Sequence, residues 1–201
     1  MTGDKALIII FIKNPVAGKV KTRLAKTIGD EKALSIYNNL LEHTRTVTRK
    51  LNCDKIVFYS DFINNADDWD QNHFLKARQE GNDLGERMSN AFNFAFSTGY
   101  KKPLIIGSDC PDLNQEHIEK AFQHLNESEV VLGPAKDGGY YLLGMNQFYP
   151  ELFSNKRWST EHVMKDTLAD ISRLNLSVRL LPELTDIDEE KDMEKYNYLL
   201  K

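Results

Sequence analysis

Ala6-Leu7-Ile8-Ile9-Ile10-Phe11-Ile12-Lys13-Asn14-Pro15-Val16-Ala17-Gly18-Lys19-Val20-Lys21-Thr22-Arg23-Leu24 joins two kinds of chemistry without a spacer. Its first part is an unbroken apolar run, rich in β-branched side chains, of the length expected for a strand buried on both faces. The second part carries Lys13, Lys19, Lys21 and Arg23 and no acid. Open α/β sheets bind ligands outside the carboxyl ends of their strands, and a loop leading into a helix offers backbone N–H groups to an anion. Gly18 lets the backbone approach closely, and the lysines and arginine can neutralise a di- or triphosphate. Lys13, Pro15, Gly18, Lys19, Lys21 and Arg23 are therefore expected to bind phosphate. The segment is not a Walker A loop, because Val20 stands where that motif needs Ser or Thr after Gly18-Lys19 and Lys13 stands where it needs Gly.

Outward from this stretch, strand-length apolar runs recur at Lys55 to Tyr59, Leu104 to Ile106, Val130 to Leu132, Tyr140 to Leu143 and Val178 to Leu181. Helical periodicity separates most of them. Asp30 is expected to cap a helix with apolar positions Ala33, Ile36, Tyr37, Leu40, Leu41, Val47 and Leu51, and Asn82 or Asp83 a second over Leu84, Met88, Ala91, Phe92, Ala95 and Phe96. Ile118, Ala121, Phe122 and Leu125 mark a third, and Val163, Leu168, Ile171 and Leu174 a fourth. Alternating strands and helices predict one α/β domain over residues 1–201, Rossmann-like, with a mostly parallel mixed sheet between helical layers. The polar stretch 61–72 reads as a surface loop.

A formal net charge of −4 argues against a nucleic-acid partner held by bulk charge, which needs clustered Lys and Arg. Two cysteines, Cys53 and Cys110, are too few for a disulfide framework, and Cys110 reads as a packed small residue. The N-terminal stretch has no export-signal pattern and no segment has the apolar length of a membrane span, so a cytoplasmic location is expected. Oligomeric state is not legible.

Gly107-Ser108-Asp109-Cys110-Pro111-Asp112 follows another strand and places Asp109 where a carboxylate can hold Mg²⁺, or Mn²⁺, against substrate phosphates. Gly133-Pro134-Ala135-Lys136-Asp137-Gly138-Gly139-Tyr140 allows close backbone approach to a ligand, with Asp137, Gly138 and Gly139 expected at the substrate. A plain Asp-Gly hairpin explains the same residues. In Thr185-Asp186-Ile187-Asp188 the alternation puts both carboxylates on one face if extended, and either can complete a metal shell. Gln79-Glu80-Gly81-Asn82-Asp83-Leu84-Gly85-Glu86-Arg87 opens a helix with two glycines and an arginine that capping alone does not need. Ser159 reads as a helix cap, and Trp158 as core or as a stacking platform for a sugar ring.

These segments together resemble a bacterial family of glycosyltransferases in the nucleotide-diphosphosugar transferase superfamily, some members of which are linked to arsenosugar biosynthesis. The resemblance rests on Lys13-x-Pro15-x-x-Gly18-x-x-Lys21-Thr22-Arg23-Leu24, Gln79-x-Gly81-x-x-Leu84-Gly85-x-Arg87, Gly107-Ser108-Asp109-x-Pro111, Gly133-Pro134-x-x-Asp137-Gly138-Gly139-Tyr140 and Trp158-Ser159-Thr160. It implies a glycosyltransferase-A fold, with Asp109 in the place of the metal-binding Asp-x-Asp element and Asp188, near the C-terminal acidic position of related nucleotidyltransferases, as the second expected metal ligand. Gly81, Leu84, Gly85 and Arg87 are then expected at the nucleotide, Trp158 and Ser159 at the substrate, and Asp109, Lys21 and Arg23 in catalysis. The expected reaction is glycosyl transfer from a nucleotide-activated sugar to a small acceptor. Nucleotidyl transfer is the alternative, joining a nucleoside triphosphate to a phosphorylated or carboxylated acceptor with loss of pyrophosphate. A nucleotide sensor without turnover is a third.

Overall fold

In the computed structural model, residues 5–196 are described. Strand β1 (Ala6–Ile12) is followed by α1 (Thr22–Ile28), α2 (Asp30–Arg49), β2 (Asp54–Tyr59), β3 (Leu75–Arg78) and α3 (Leu84–Ser97). Then come β4 (Lys102–Ile106), α4 (Gln115–His124), β5 (Val130–Pro134), β6 (Tyr140–Met145), α5 (Val163–Arg173) and β7 (Val178–Leu180). Two 3₁₀ turns lie at Pro150–Phe153 and Glu190–Lys195.

The apolar run of β1 explains the layering. Successive strand side chains point to opposite faces. Ile8, Ile10 and Ile12 pack with Tyr37 and Leu41 of α2 and Ile118 and Ala121 of α4. Leu7, Ile9 and Phe11 pack on the other side with Met88, Phe92 and Ala95 of α3 and Ile171 of α5. Removing each such side chain from water contributes ~1.5–3 kcal/mol, so a strand polar on either face would not hold this central place. The result is the expected three-layer α/β/α arrangement around a seven-stranded sheet of order β3-β2-β1-β4-β6-β5-β7. β6 alone runs against its neighbours, antiparallel to both β4 and β5, while the other pairs are parallel.

Asp83 caps α3, its carboxylate accepting the Glu86 N–H at 2.9 Å, and Asn114 caps α4 through a reciprocal box with His117. Two expectations are corrected. Asp30 does not cap α2: Gly29, at φ +88°, ends α1 and starts α2 within one residue, and Asp30 is already helical. Ser159 caps nothing, because α5 begins at Val163 and Ser159 lies in the preceding turn at φ +60°. The cationic stretch leads into a helix as expected: Thr22–Ile28 winds into α1 around the buried Leu24. The connection 61–72 is a loop as expected, anchored by Trp69, which is 3% exposed and meets Phe74 edge-on at 4.9 Å. Cys110 is buried at 4% exposure, and burial pushes its thiol well up.

Candidate functional site

Strand direction gathers the site. β1 and β4 are parallel neighbours, so the turns leaving them open on the same edge. β5 and β7 run the same way as β4, and β6 the opposite way, so the turn joining β5 to β6 and the chain leaving β7 reach that edge too. The strand order reverses between β1 and β4, the place where α/β sheets open a crevice.

Lys21, just before α1, adopts a left-handed backbone at φ +48° and turns its side chain inward, 3% exposed. Its ammonium lies 2.9 Å from Asp109 Oδ1 and donates to the Ile187 carbonyl at 2.5 Å. The Ile187 N–H in turn donates to the Asp109 carbonyl at 2.9 Å. Two turns distant in sequence and the chain beyond β7 are thus stitched together at the mouth of β1 and β4. Tyr37 supports them from below: its hydroxyl accepts the Lys13 N–H at 2.8 Å and lies 3.3 Å from Ser108 Oγ. Burial first, and the Asp109 charge second, hold that phenol well above its ordinary value.

Asp186 is the least comfortable group in the site. Its Oδ1 is sealed from solvent and accepts no hydrogen bond. Burial raises its carboxyl to about 7, helped by the charges of Asp109, Asp137 and Asp188 and opposed by Lys21. Asp188 is more exposed and pairs with Arg23 at 2.6 Å. An unsatisfied buried carboxylate oxygen facing other carboxylates is the donor chemistry a hard cation takes up.

A cleft of 1110 Å³ opens here. Its walls carry the carboxyl groups of Asp109, Asp137, Glu161, Asp186, Asp188, Glu189 and Asp192 against four Lys or Arg side chains, Lys13, Arg23, Lys136 and Lys191. A polyphosphate would be repelled by that balance unless a divalent cation accompanied it. Among the described residues no three His, Cys, Asp or Glu side chains already form a ligand shell. Mg²⁺ does not require one, since it commonly takes one or two carboxylates and completes its octahedron with phosphate oxygens and water. The donor chemistry is of the kind that suits a Mg²⁺- or Mn²⁺-type ion, and Asp109 and Asp186 are the residues that could hold one.

The other expected residues divide. Leu84, Asp137, Gly139, Trp158 and Ser159 line the cleft. Pro15, Gly18 and Lys19 are exposed on the turn but not among its walls, and Gly18, at φ +74°, makes the turn closed by Lys19 N–H on the Val16 carbonyl. Gly81 and Arg87 also lie off the cleft and bind each other, Arg87 Nε donating to the Gly81 carbonyl at 3.1 Å. Gly85 carries the indole of Trp158: a methyl group on it would lie 2.2 Å from Trp158 Nε1. Gly138 sits below the walls at φ +87°, with its would-be methyl 2.2 Å from the Glu161 carbonyl oxygen, and its own carbonyl accepts the Met164 N–H at 2.9 Å. The expected Asp-Gly hairpin is present as well, Asp137 Oδ1 accepting from Gly139 N–H at 2.9 Å. Tyr37, Met88 and Tyr140 do not stand out in the sequence as site residues, because apolar periodicity alone marks them as core.

The family model described as "Uncharacterized protein conserved in bacteria (DUF2064)" matches residues 43–160. A crystal structure of a "putative nucleotide-diphospho-sugar transferase" from Desulfovibrio desulfuricans G20 superposes with a TM-score of 0.87 and 30% identity, over 97% of this chain and 96% of that one. A 2-phospho-L-lactate guanylyltransferase from Methanocaldococcus vulcanius is 26% identical over 140 residues, 68% of this chain. The match spans 60% of that curated relative's length. The manganese complex of Rv0371C from Mycobacterium tuberculosis H37Rv shares the fold, with a TM-score of 0.55 and 12% identity over 99% of each chain. Among the described residues no helix is long and apolar enough to cross a membrane.

Proposed function

The chain belongs to the DUF2064 family, within the nucleotide-diphosphosugar transferase superfamily, and is a transferase; we propose that it moves a nucleotidyl group from a nucleoside triphosphate to a small anionic acceptor. One observation carries this reading. Asp109 and the unsatisfied Asp186 face a cleft whose four fixed cations come from three separate segments, Lys13 and Arg23 beside the β1 turn, Lys136 on the β5–β6 turn and Lys191 beyond β7. Cations spread in this way suit two anionic partners meeting at one centre better than one anionic donor and a neutral hydroxyl. The 26% identity to a guanylyltransferase supports the same chemistry.

In the proposed reaction an acceptor phosphate or carboxylate oxygen attacks the α-phosphorus. The bond from that phosphorus to the bridging oxygen breaks, and pyrophosphate leaves with the electron pair. Lys13 and Arg23 hold the departing phosphates, and Lys136 and Lys191 the acceptor anion. Lys21 is a positioning residue, fixing Asp109 rather than touching the nucleotide. When bound on Asp109 and Asp186, a divalent cation supplies charge neutralisation to the phosphate oxygens. Asp188 orients Arg23. Asp137, Gly138, Gly139 and Ser159 shape the acceptor side, Trp158 lines the same cleft, and Gly81 and Arg87 set the start of α3.

Glycosyl transfer is the second reading, favoured by the 30% identity to the Desulfovibrio desulfuricans protein over nearly the whole chain. Turnover separates the two. With Mg²⁺, a set of nucleoside triphosphates and a pool of phosphorylated and carboxylated acceptors, the first reading predicts pyrophosphate. Release of nucleoside diphosphate from nucleotide-sugars, with no pyrophosphate in the triphosphate assay, would establish the second instead.

A further inference from the structure

The cleft is charged in part but not throughout. Leu84 and Met88 from α3, Tyr140 from β6 and Trp158 give it an apolar wall. Trp158 belongs to the segment between β6 and α5, yet its indole lies across the first turn of α3, directly on Gly85. Any side chain there would collide with the ring, since a Cβ would approach Nε1, Cε2 and Cζ2 at 2.2, 2.5 and 2.7 Å. The backbone around the indole is held equally closely. Ser159 takes a left-handed conformation at φ +60°, and Glu161 and Met164 close on Gly138. The Tyr140 hydroxyl is directed to Met88 Sδ at 3.9 Å rather than to a polar partner, so that part of the wall presents ring and thioether surface.

From this arrangement we infer that Trp158 is a ring-stacking platform, which requires one substrate to present a flat ring, and that Gly85 is the positioning residue that allows the platform to exist. A partly buried indole that lines a cleft gains most from a ligand with a planar face, since an aromatic ring stacks on any base. A compact acceptor without a ring would leave this wall wet and unused. The Leu84-Gly85 pair then serves ring recognition by carrying the indole, and does not itself contact phosphate. The ring is either the nucleobase or part of the acceptor, and this inference rests on the transferase reading for the presence of both.

The test uses the Trp69→Phe variant, in which Trp158 is the sole tryptophan; Trp69 lies in the 61–72 loop, outside the cleft. Calorimetry and Trp158 emission are followed with Mg²⁺ and three probes: inorganic tripolyphosphate, the nucleoside triphosphates, and phenyl phosphate added to the nucleotide-loaded protein. Tripolyphosphate is expected to bind without changing the emission, and a ring-bearing probe to quench it and bind roughly tenfold more tightly than its ringless counterpart, tripolyphosphate for the nucleotides and inorganic phosphate for phenyl phosphate. Quenching by the nucleotides assigns the ring to the base; quenching only by phenyl phosphate assigns it to the acceptor. Trp158→Ala and Gly85→Ala should each abolish the tenfold preference, and the double variant should be no worse than Trp158→Ala, because both remove the same platform. Binding of ring-bearing and ringless probes with equal affinity and unchanged emission overturns the inference and leaves the transferase reading intact. Failure of every polyphosphate to bind overturns that reading, and with it this one.

Discussion

Lys21 Nζ lies 2.9 Å from Asp109 Oδ1 while also donating to the Ile187 carbonyl, so one buried ammonium fixes the carboxylate expected to meet a cation. The pair is asymmetric: the lysine side chain is 3% exposed and the aspartate 46%. In Lys21→Met, Asp109 can regain water but the Ile187 carbonyl loses its charged donor. The loss should be ~1–3 kcal/mol, below the ~3–5 kcal/mol of a fully buried pair. Differential scanning calorimetry should show the melting temperature falling by roughly 3–10 °C. No change in melting temperature would mean that this tie is not structural.

Asp186 makes stability depend on pH in an unusual direction. Its carboxyl is raised to about 7 in the folded chain from an ordinary value of 3.8, so the native state binds the proton more tightly than the unfolded chain does. The contribution is complete below the unfolded value and is lost as pH rises through the folded one. Without added metal, Asp186→Asn should therefore gain on the wild type by ~1–3 kcal/mol between pH 4 and pH 8. Urea unfolding of both proteins at the two pH values checks this; a constant difference would show that Asp186 does not titrate between them.

Gly138→Ala puts a methyl group 2.2 Å from the Glu161 carbonyl at a backbone angle of φ +87°. Backbone cannot yield as a side-chain tip can, so strain and overpacking together should cost about 2–4 kcal/mol. Because Glu161 follows the Trp158–Thr160 turn, ligand affinity should fall with stability. Thermal melts with and without a nucleoside triphosphate read both effects, and a variant as stable as the wild type would contradict the close packing.

Arg23 and Asp188 form an exposed pair, with side chains 57% and 37% accessible. Such pairs contribute ~0–1 kcal/mol to stability. Arg23→Ala should hardly move the melting temperature yet raise the KM for the nucleotide about tenfold or more, since a charge-assisted contact to phosphate is lost. Steady-state kinetics beside a melt separates the two. A KM that stays put would remove Arg23 from the phosphate site.

The central strands are legible in the sequence because Ala6–Ile12 and its counterparts are apolar on both faces, a pattern that amphipathic helices and solvent-facing strands do not produce. β3 is not, because Leu75-Lys76-Ala77-Arg78 is a short edge strand whose Leu75 is 61% exposed. α1 is hidden among cations, since only Leu24 in it is fully buried. Asp109 can be placed at a strand end from its turn. Asp186 cannot be told from Asp188, because both stand in an acidic run. What separates them is that Ile187 N–H bonds to the Asp109 carbonyl and Leu184 bridges Ala135, contacts between segments far apart in the chain that seal one carboxylate and leave the other beside Arg23. Gly81 and Gly85 look equivalent in their motif, yet one shapes a turn with Arg87 and the other carries an indole.

On the proposed reading, Asp109 and Asp186 jointly hold a divalent cation that brings phosphate into an otherwise acidic cleft, and every assigned role depends on that ion. Calorimetric titration of a nucleoside triphosphate in the presence and absence of Mn²⁺ tests it most directly, on the wild type, Asp109→Asn and Asp186→Asn, each first shown to melt as a folded protein. Binding by the wild type should disappear when the metal is chelated and weaken at least tenfold in either variant. Equal affinity with and without metal, in all three proteins, would contradict it.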